Sequence, residues 1–98
     1  MNITSKQRAY LRSLANNLSP IYQIGKNGIS EKLIQGVSEA LEANELIKIT
    51  VLETAPDEIQ NLANQLANDT SSLVVQTVGN KITLFRKRMK NSKIEFPE

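Results

Sequence analysis

Pro20-Ile21-Tyr22-Gln23-Ile24 runs into Gly25-Lys26-Asn27-Gly28 and then into Ile29-Ser30-Glu31, and the architecture follows from how these pieces join. The first piece is short and rich in β-formers, which predicts a strand over 20–24. The second brackets a lysine and an asparagine with glycines, the composition of a turn that can adopt positive φ and approach another backbone closely. In the third, Ser30 is an N-cap, and Ile29 before it can pack on Ile34 as a hydrophobic staple. Leu33, Ile34, Val37, Ala40 and Leu41 then form the apolar stripe of a helix that stops near Asn44. Gly36, within that stripe, allows a close approach to the sheet.

Toward the N-terminus, Thr4 and Gln7 form a capping box. Leu11, Leu14, Ala15 and Leu18 follow at helical spacing, with Lys6, Arg8 and Arg12 largely off the stripe. Ser19-Pro20 is expected to end this helix, because the residue before proline is pushed out of the helical region. Toward the C-terminus, Ile47, Ile49 and Val51 alternate with Lys48 and Thr50, so 46–52 is a strand with one buried face and one more exposed. Thr54 is expected to cap a third helix, with Pro56 in its first turn, Asp57 and Glu58 near its positive end, and a stripe of Ile59, Leu62, Ala63, Leu66 and Ala67. Strands over 73–78 and 82–85 are joined by the two-residue turn Gly79-Asn80.

The order α-β-α-β-α-β-β predicts an α+β fold, an α/β two-layer sandwich on a mixed four-stranded sheet. Two strand–helix–strand units imply parallel pairing, and a hairpin adds an antiparallel partner. One domain is expected over residues 1–88. Residues 89–98 read as a basic, mobile C-terminal tail with little to bury.

Composition narrows the chemistry. The 98 residues contain no cysteine and no histidine. Disulfides, thiolate nucleophiles, the commonest general base and the usual zinc ligands are therefore missing, and no cofactor and no metal site are expected. Glu39, Glu42 and Glu45 read as a solvated acidic face rather than a metal site. No apolar run is long enough for a membrane span, and the opening residues lack the apolar stretch of a signal peptide, so the expected location is cytoplasmic.

The net charge of +2 is unremarkable, but its distribution is uneven. Lys6, Arg8, Arg12 and Lys26 stand in the first thirty residues without an acid. Eight of the ten acidic residues lie between 31 and 72. Lys81, Arg86, Lys87, Arg88, Lys90 and Lys93 then make the C-terminal part basic again. If the fold brought the two basic ends together, one surface would suit a polyanion.

The turn at 25–28 is where such a polyanion would sit. Backbone N–H groups of the turn and of the following helix favour phosphate, Lys26 adds a charge, and Asn27 can donate from its amide. KH domains clamp a nucleic-acid backbone with a similar two-glycine turn. The alternative is a plain strand-to-helix connection, for which Asn-Gly is a common dipeptide. Tyr10 and Tyr22 read as partly buried core tyrosines in preference to base-stacking platforms.

Several separated motifs add to this. Thr4-Ser5-Lys6-Gln7-Arg8-Ala9-Tyr10-Leu11-Arg12, Ile24-Gly25-Lys26-Asn27-Gly28-Ile29-Ser30, Glu45-Leu46-Ile47-Lys48 and Val78-Gly79-Asn80-Lys81-Ile82-Thr83-Leu84-Phe85-Arg86 resemble the YhbY-type CRM domain, a module of RNA splicing and ribosome maturation. The resemblance spans roughly residues 3–88. It implies a fold akin to the C-terminal domain of translation initiation factor three and, for stand-alone bacterial members, binding to precursors of the large ribosomal subunit. It carries the family's loop role onto Gly25, Lys26, Asn27 and Gly28, and its basic surface onto Lys6, Arg8 and Arg86. Arg88, beside Arg86 at the end of the last strand, is a further candidate contact. Phe85 stands where many relatives have tyrosine, and the ending Ile94-Glu95-Phe96-Pro97-Glu98 has no assigned counterpart.

The expected function is thus a non-catalytic, monomeric RNA-binding protein acting on ribosomal RNA during large-subunit assembly, with no membrane partner and no small-molecule substrate. Neutralising four to six phosphates would give a log–log salt slope of roughly −3 to −5. The rival is a protein-interaction module that reaches the ribosome through ribosomal proteins.

Overall fold

A computed structural model describes residues 2–96; Pro97 and Glu98 of the expected tail lie outside them. Seven elements follow in chain order: α1 (Ser5–Ala15), β1 (Tyr22–Ile24), α2 (Glu31–Asn44), β2 (Leu46–Val51), α3 (Ile59–Thr70), β3 (Leu73–Val78) and β4 (Lys81–Phe85). The α+β class and the element order are those read from the sequence. Thr4 and Gln7 exchange both bonds of the capping box at 3.0 Å, and the Ser30 hydroxyl accepts from the Leu33 N–H at 3.1 Å.

The sheet order is β1-β2-β4-β3. β1 and β2 pair directly in parallel, with Tyr22 opposite Ile49 and Ile24 opposite Val51. The second strand–helix–strand unit behaves differently from the expectation. β2 and β3 run the same way, but β4 returns between them and is antiparallel to both. β4 therefore satisfies the facing ladder edges of both β2 and β3.

Because strand side chains alternate in direction, the sheet builds two cores. Ile24, Ile47, Ile49, Val51, Ile82 and Leu84 face α2 and α3, where Val37, Leu41, Leu62, Ala63 and Leu66 complete the larger cluster. Leu46, Val75 and Phe85 face the other way and pack with Leu11 and Ala15 of α1. Helix α1 thus adds a partial third layer to the two that were expected. The face bearing Lys48 and Thr50 is the less buried one beyond the reach of α1, as anticipated.

Three local expectations are corrected. Helix α1 ends at Ala15 rather than at Ser19-Pro20, although Leu18 still packs on its cluster. Helix α3 begins at Ile59 with Glu58 as N-cap residue, not at Thr54. Residues 52–58 form turns instead: the Ala55 N–H donates to the Leu52 carbonyl at 3.0 Å, and the Asp57 carboxylate accepts from the Glu58 N–H and the Asn61 amide. Those bonds hold Asp57 below the usual carboxylate range, that from Asn61 contributing most.

The third concerns Glu45, read as part of a solvated acidic face. It is fully buried and takes φ +65° just past α2. Its carboxylate accepts from the backbone N–H groups of Arg88, Lys93 and Ile94 and from the Ser92 hydroxyl. Burial works to raise its pKa, but these donors together lower it below the ordinary value. They also seat the segment that follows β4. Ile94 and Phe96 pack on the α1 cluster, and Phe96 meets Phe85 and Tyr10 edge-on at centroid distances of 5.9 and 6.1 Å. A segment read as having little to bury covers the end of a core.

Candidate nucleic-acid interface

The turn at Gly25–Gly28 closes with a hydrogen bond from the Gly28 N–H to the Gly25 carbonyl, 2.9 Å. Gly28 takes φ +65°, and a Cβ there would lie 3.1 Å from Pro56 Cγ. Gly25 needs neither allowance, since its backbone has no positive φ and a Cβ would meet Leu52 Cδ1 at an ordinary 3.5 Å. Lys26 and Asn27, between them, are exposed at the tip. Helix α2, fourteen residues long, starts three residues further on. Its first-turn N–H groups at Glu31 and Lys32 cannot be satisfied within the helix, and its dipole makes this end positive.

These elements border a depression of about 330 Å³ whose walls include Tyr22, Gln23, Lys26, Asn27, Lys32 and Leu33. It carries two cations and no acid. A larger depression of about 460 Å³ lies elsewhere, lined by Leu14, Leu18, Ile21, Leu46 and Ile94 among others. It has no charged lining residue and is unsuited to a polyanion. Acidic side chains stand near the turn at Glu53, Asp57 and Glu58, in the β2–α3 connection whose Pro56 abuts Gly28, and at the exposed Glu31 in the first turn of α2.

The basic residues expected to extend the site are not gathered at the turn. Arg8 reaches across to β3, at the sheet edge opposite β1, and its Nη1 donates to the Val74 and Val75 carbonyls at 2.8 and 2.7 Å. The register shift between Val74 and Gln76 disturbs the ladder there, and Arg8 supplies a partner. Arg86 follows β4 at the end of the sheet away from the turn, a strand length of roughly 17 Å. Its guanidinium donates to the Thr70 carbonyl at 2.8 Å, the Ser38 carbonyl at 2.7 Å and the Ser38 hydroxyl at 3.0 Å, with Glu42 at 3.6 Å. Thr70 closes α3, so a cation there complements the negative helix end. Arg88 is half-buried beside it, with its Nε enclosed and no hydrogen-bond partner among the described residues. Lys6 is exposed in the first turn of α1.

Sequence reading missed Lys32 and Gln23. Lys32 stands two residues past the cap of the helix that opens at the turn, a position that could have been recognised as adjoining it. Gln23 lies on the edge strand that leads in, and nothing in its spacing marks it. Among the described residues no group of His, Cys, Asp or Glu could hold a metal ion, and no helix is long and apolar enough to cross a membrane.

Known proteins share the sequence and the fold of this chain. The sequence model of the CRS1 / YhbY (CRM) domain matches residues 3–86. The Bacillus subtilis protein named "Probable RNA-binding protein YqeI" is 42% identical over 95 residues, covering 97% of this chain and 99% of that protein. A Haemophilus influenzae "RNA-binding protein" is 32% identical over 95 residues, covering 97% and 95%. The solution structure of Staphylococcus aureus SAV1595 superposes with a TM-score of 0.82 at 45% identity, covering 98% of this chain and all of that one.

Proposed function

Since this chain belongs to the CRS1 / YhbY (CRM) domain family, we propose that it binds RNA by holding the sugar–phosphate backbone at the turn Gly25-Lys26-Asn27-Gly28, without catalysing a reaction. One observation carries this reading: Lys26 and Asn27 stand exposed at the tip of a turn whose shape Gly28 maintains, beside the positive end of α2. A phosphate placed there meets a full charge, an amide donor and unsatisfied N–H groups together. The relatives' names support RNA as the partner.

The RNA we propose is ribosomal, met in the cytoplasm during large-subunit assembly. Backbone contacts position a protein but carry little sequence information, so selectivity comes from RNA shape or from neighbouring ribosomal proteins. Arg8 and Arg86, already bonded to carbonyl groups, hold the fold in this reading.

Changing Lys26→Ala together with Asn27→Ala tests the proposal. Affinity for a protein-free ribosomal RNA fragment is expected to fall at least tenfold while the melting temperature stays put. Unchanged affinity would remove the turn from the interface. Absence of any binding to protein-free RNA, with retained binding to ribosomal proteins, would favour the protein-interaction reading.

A further inference from the structure

Of the four aromatic side chains, Tyr22 is the one left exposed, at 37%. It was expected to be a partly buried core residue. The ring instead lies across helix α2 at Gly36, where a Cβ would come within 2.6 Å of its hydroxyl oxygen and 2.9 Å of Cζ. The helix omits a side chain at that position and seats the ring in its place. A ring held in this way has little freedom left to lose on binding.

Its position connects it to the turn. Tyr22 stands two residues before Ile24 and three before Gly25, and it borders the depression containing Lys26, Asn27 and Lys32. A second depression, with Gln35 and Glu39, is also bordered by Tyr22 and Lys32. Tyr22 and Lys32 thus line both hollows. Charge gives a direction. Glu53, Asp57 and Glu58 repel a polyanion on the β2–α3 side of the turn, and Glu31 and Glu39 do so along α2, whereas the depression between them is lined by Lys26 and Lys32 without an acid.

We propose that Tyr22 is a stacking platform for one base of a single-stranded RNA whose backbone is held at the turn, with Lys32 meeting the adjacent phosphate. The proposal rests on the RNA-binding reading above and narrows it to unpaired RNA. A base face is available for stacking only when the strand is unpaired or splayed. Gln23 and Asn27, on the same walls, can meet base edges, while stacking itself tolerates every base.

The protein has two tyrosines and no tryptophan, so Tyr10→Phe leaves Tyr22 as its sole tyrosine emitter. This variant is titrated with a short mixed-sequence single strand carrying an end label, and with the same strand annealed to its complement. Label anisotropy reports binding and tyrosine emission reports stacking. Single-strand binding with quenched Tyr22 emission, and weaker unquenched binding of the duplex, is the expected result. Tyr22→Ala is expected to weaken single-strand binding by roughly five- to a hundredfold, with Tyr22→Phe close to the parent. Single-strand binding that depends on Lys26 and Asn27 but leaves Tyr22 emission unchanged overturns the platform and keeps the backbone contact. No binding of either RNA overturns both.

Discussion

At the scale of single residues, the two glycines of the turn have different work. Gly28→Ala forces a Cβ into a positive-φ position beside Pro56, which is expected to cost about 1–2 kcal/mol. Gly25→Ala meets only ordinary contacts and is expected to change stability by less than about 0.5 kcal/mol. Urea unfolding of the two variants compares them, and equal losses would contradict the assignment. Sequence reading treated the pair alike because composition marks a turn but not which residue has positive φ. Glu45 was misread for a related reason. Its spacing from Glu39 and Glu42 suggests solvent, and only the path of the chain after β4 brings donors to it. With its pKa lowered in the fold, the unfolded chain binds the proton more readily. The carboxylate thus stabilises the protein above the ordinary glutamate range and loses that contribution as pH falls through and below it. Melting temperature measured against pH is expected to drop on the acid side, and Glu45→Gln should flatten that limb while lowering stability near neutrality.

At the scale of elements, periodicity did best where an element carries its own signal. The stripe of α2 and the alternation of β2 were legible because burial imposes their period. The start of α3 was not, because Thr54-Ala55-Pro56-Asp57-Glu58 has the composition of a helix start yet spends its polar groups on turns. The segment after β4 gave no signal at all: its lysines suggest solvent, while Ile94 and Phe96 dock on α1. Ending the chain after Arg88 uncovers part of that cluster and removes three of the four donors to Glu45. A loss of about 2–3 kcal/mol is expected from the apolar burial of two half-buried side chains. Chemical denaturation of the shortened chain measures it, and a midpoint equal to the parent's would show the docked segment to be without energetic consequence.

For the whole molecule, the charge pattern was real but its consequence was not the one anticipated. Cations at both ends of the sequence suggested a single positive surface, whereas the fold uses Arg8 at one sheet edge and Arg86 at the far end of the strands to satisfy carbonyl groups. No reading of one sequence reveals which cations a fold consumes internally. The proposed footprint shrinks to two or three phosphates, and for single-stranded RNA the log–log salt slope becomes roughly −1.5 to −2 instead of −3 to −5. Affinity measured across a salt series decides between them, a steep slope meaning that more distant cations take part. The element order was legible throughout, but the place of β4 between β2 and β3 was not, since adjacency in sequence says nothing about insertion. That insertion governs the protein's own birth. β4 follows the other three strands out of the ribosome yet is an inner strand, so the β1–β2 pair and β3 join into one sheet only once β4 has emerged.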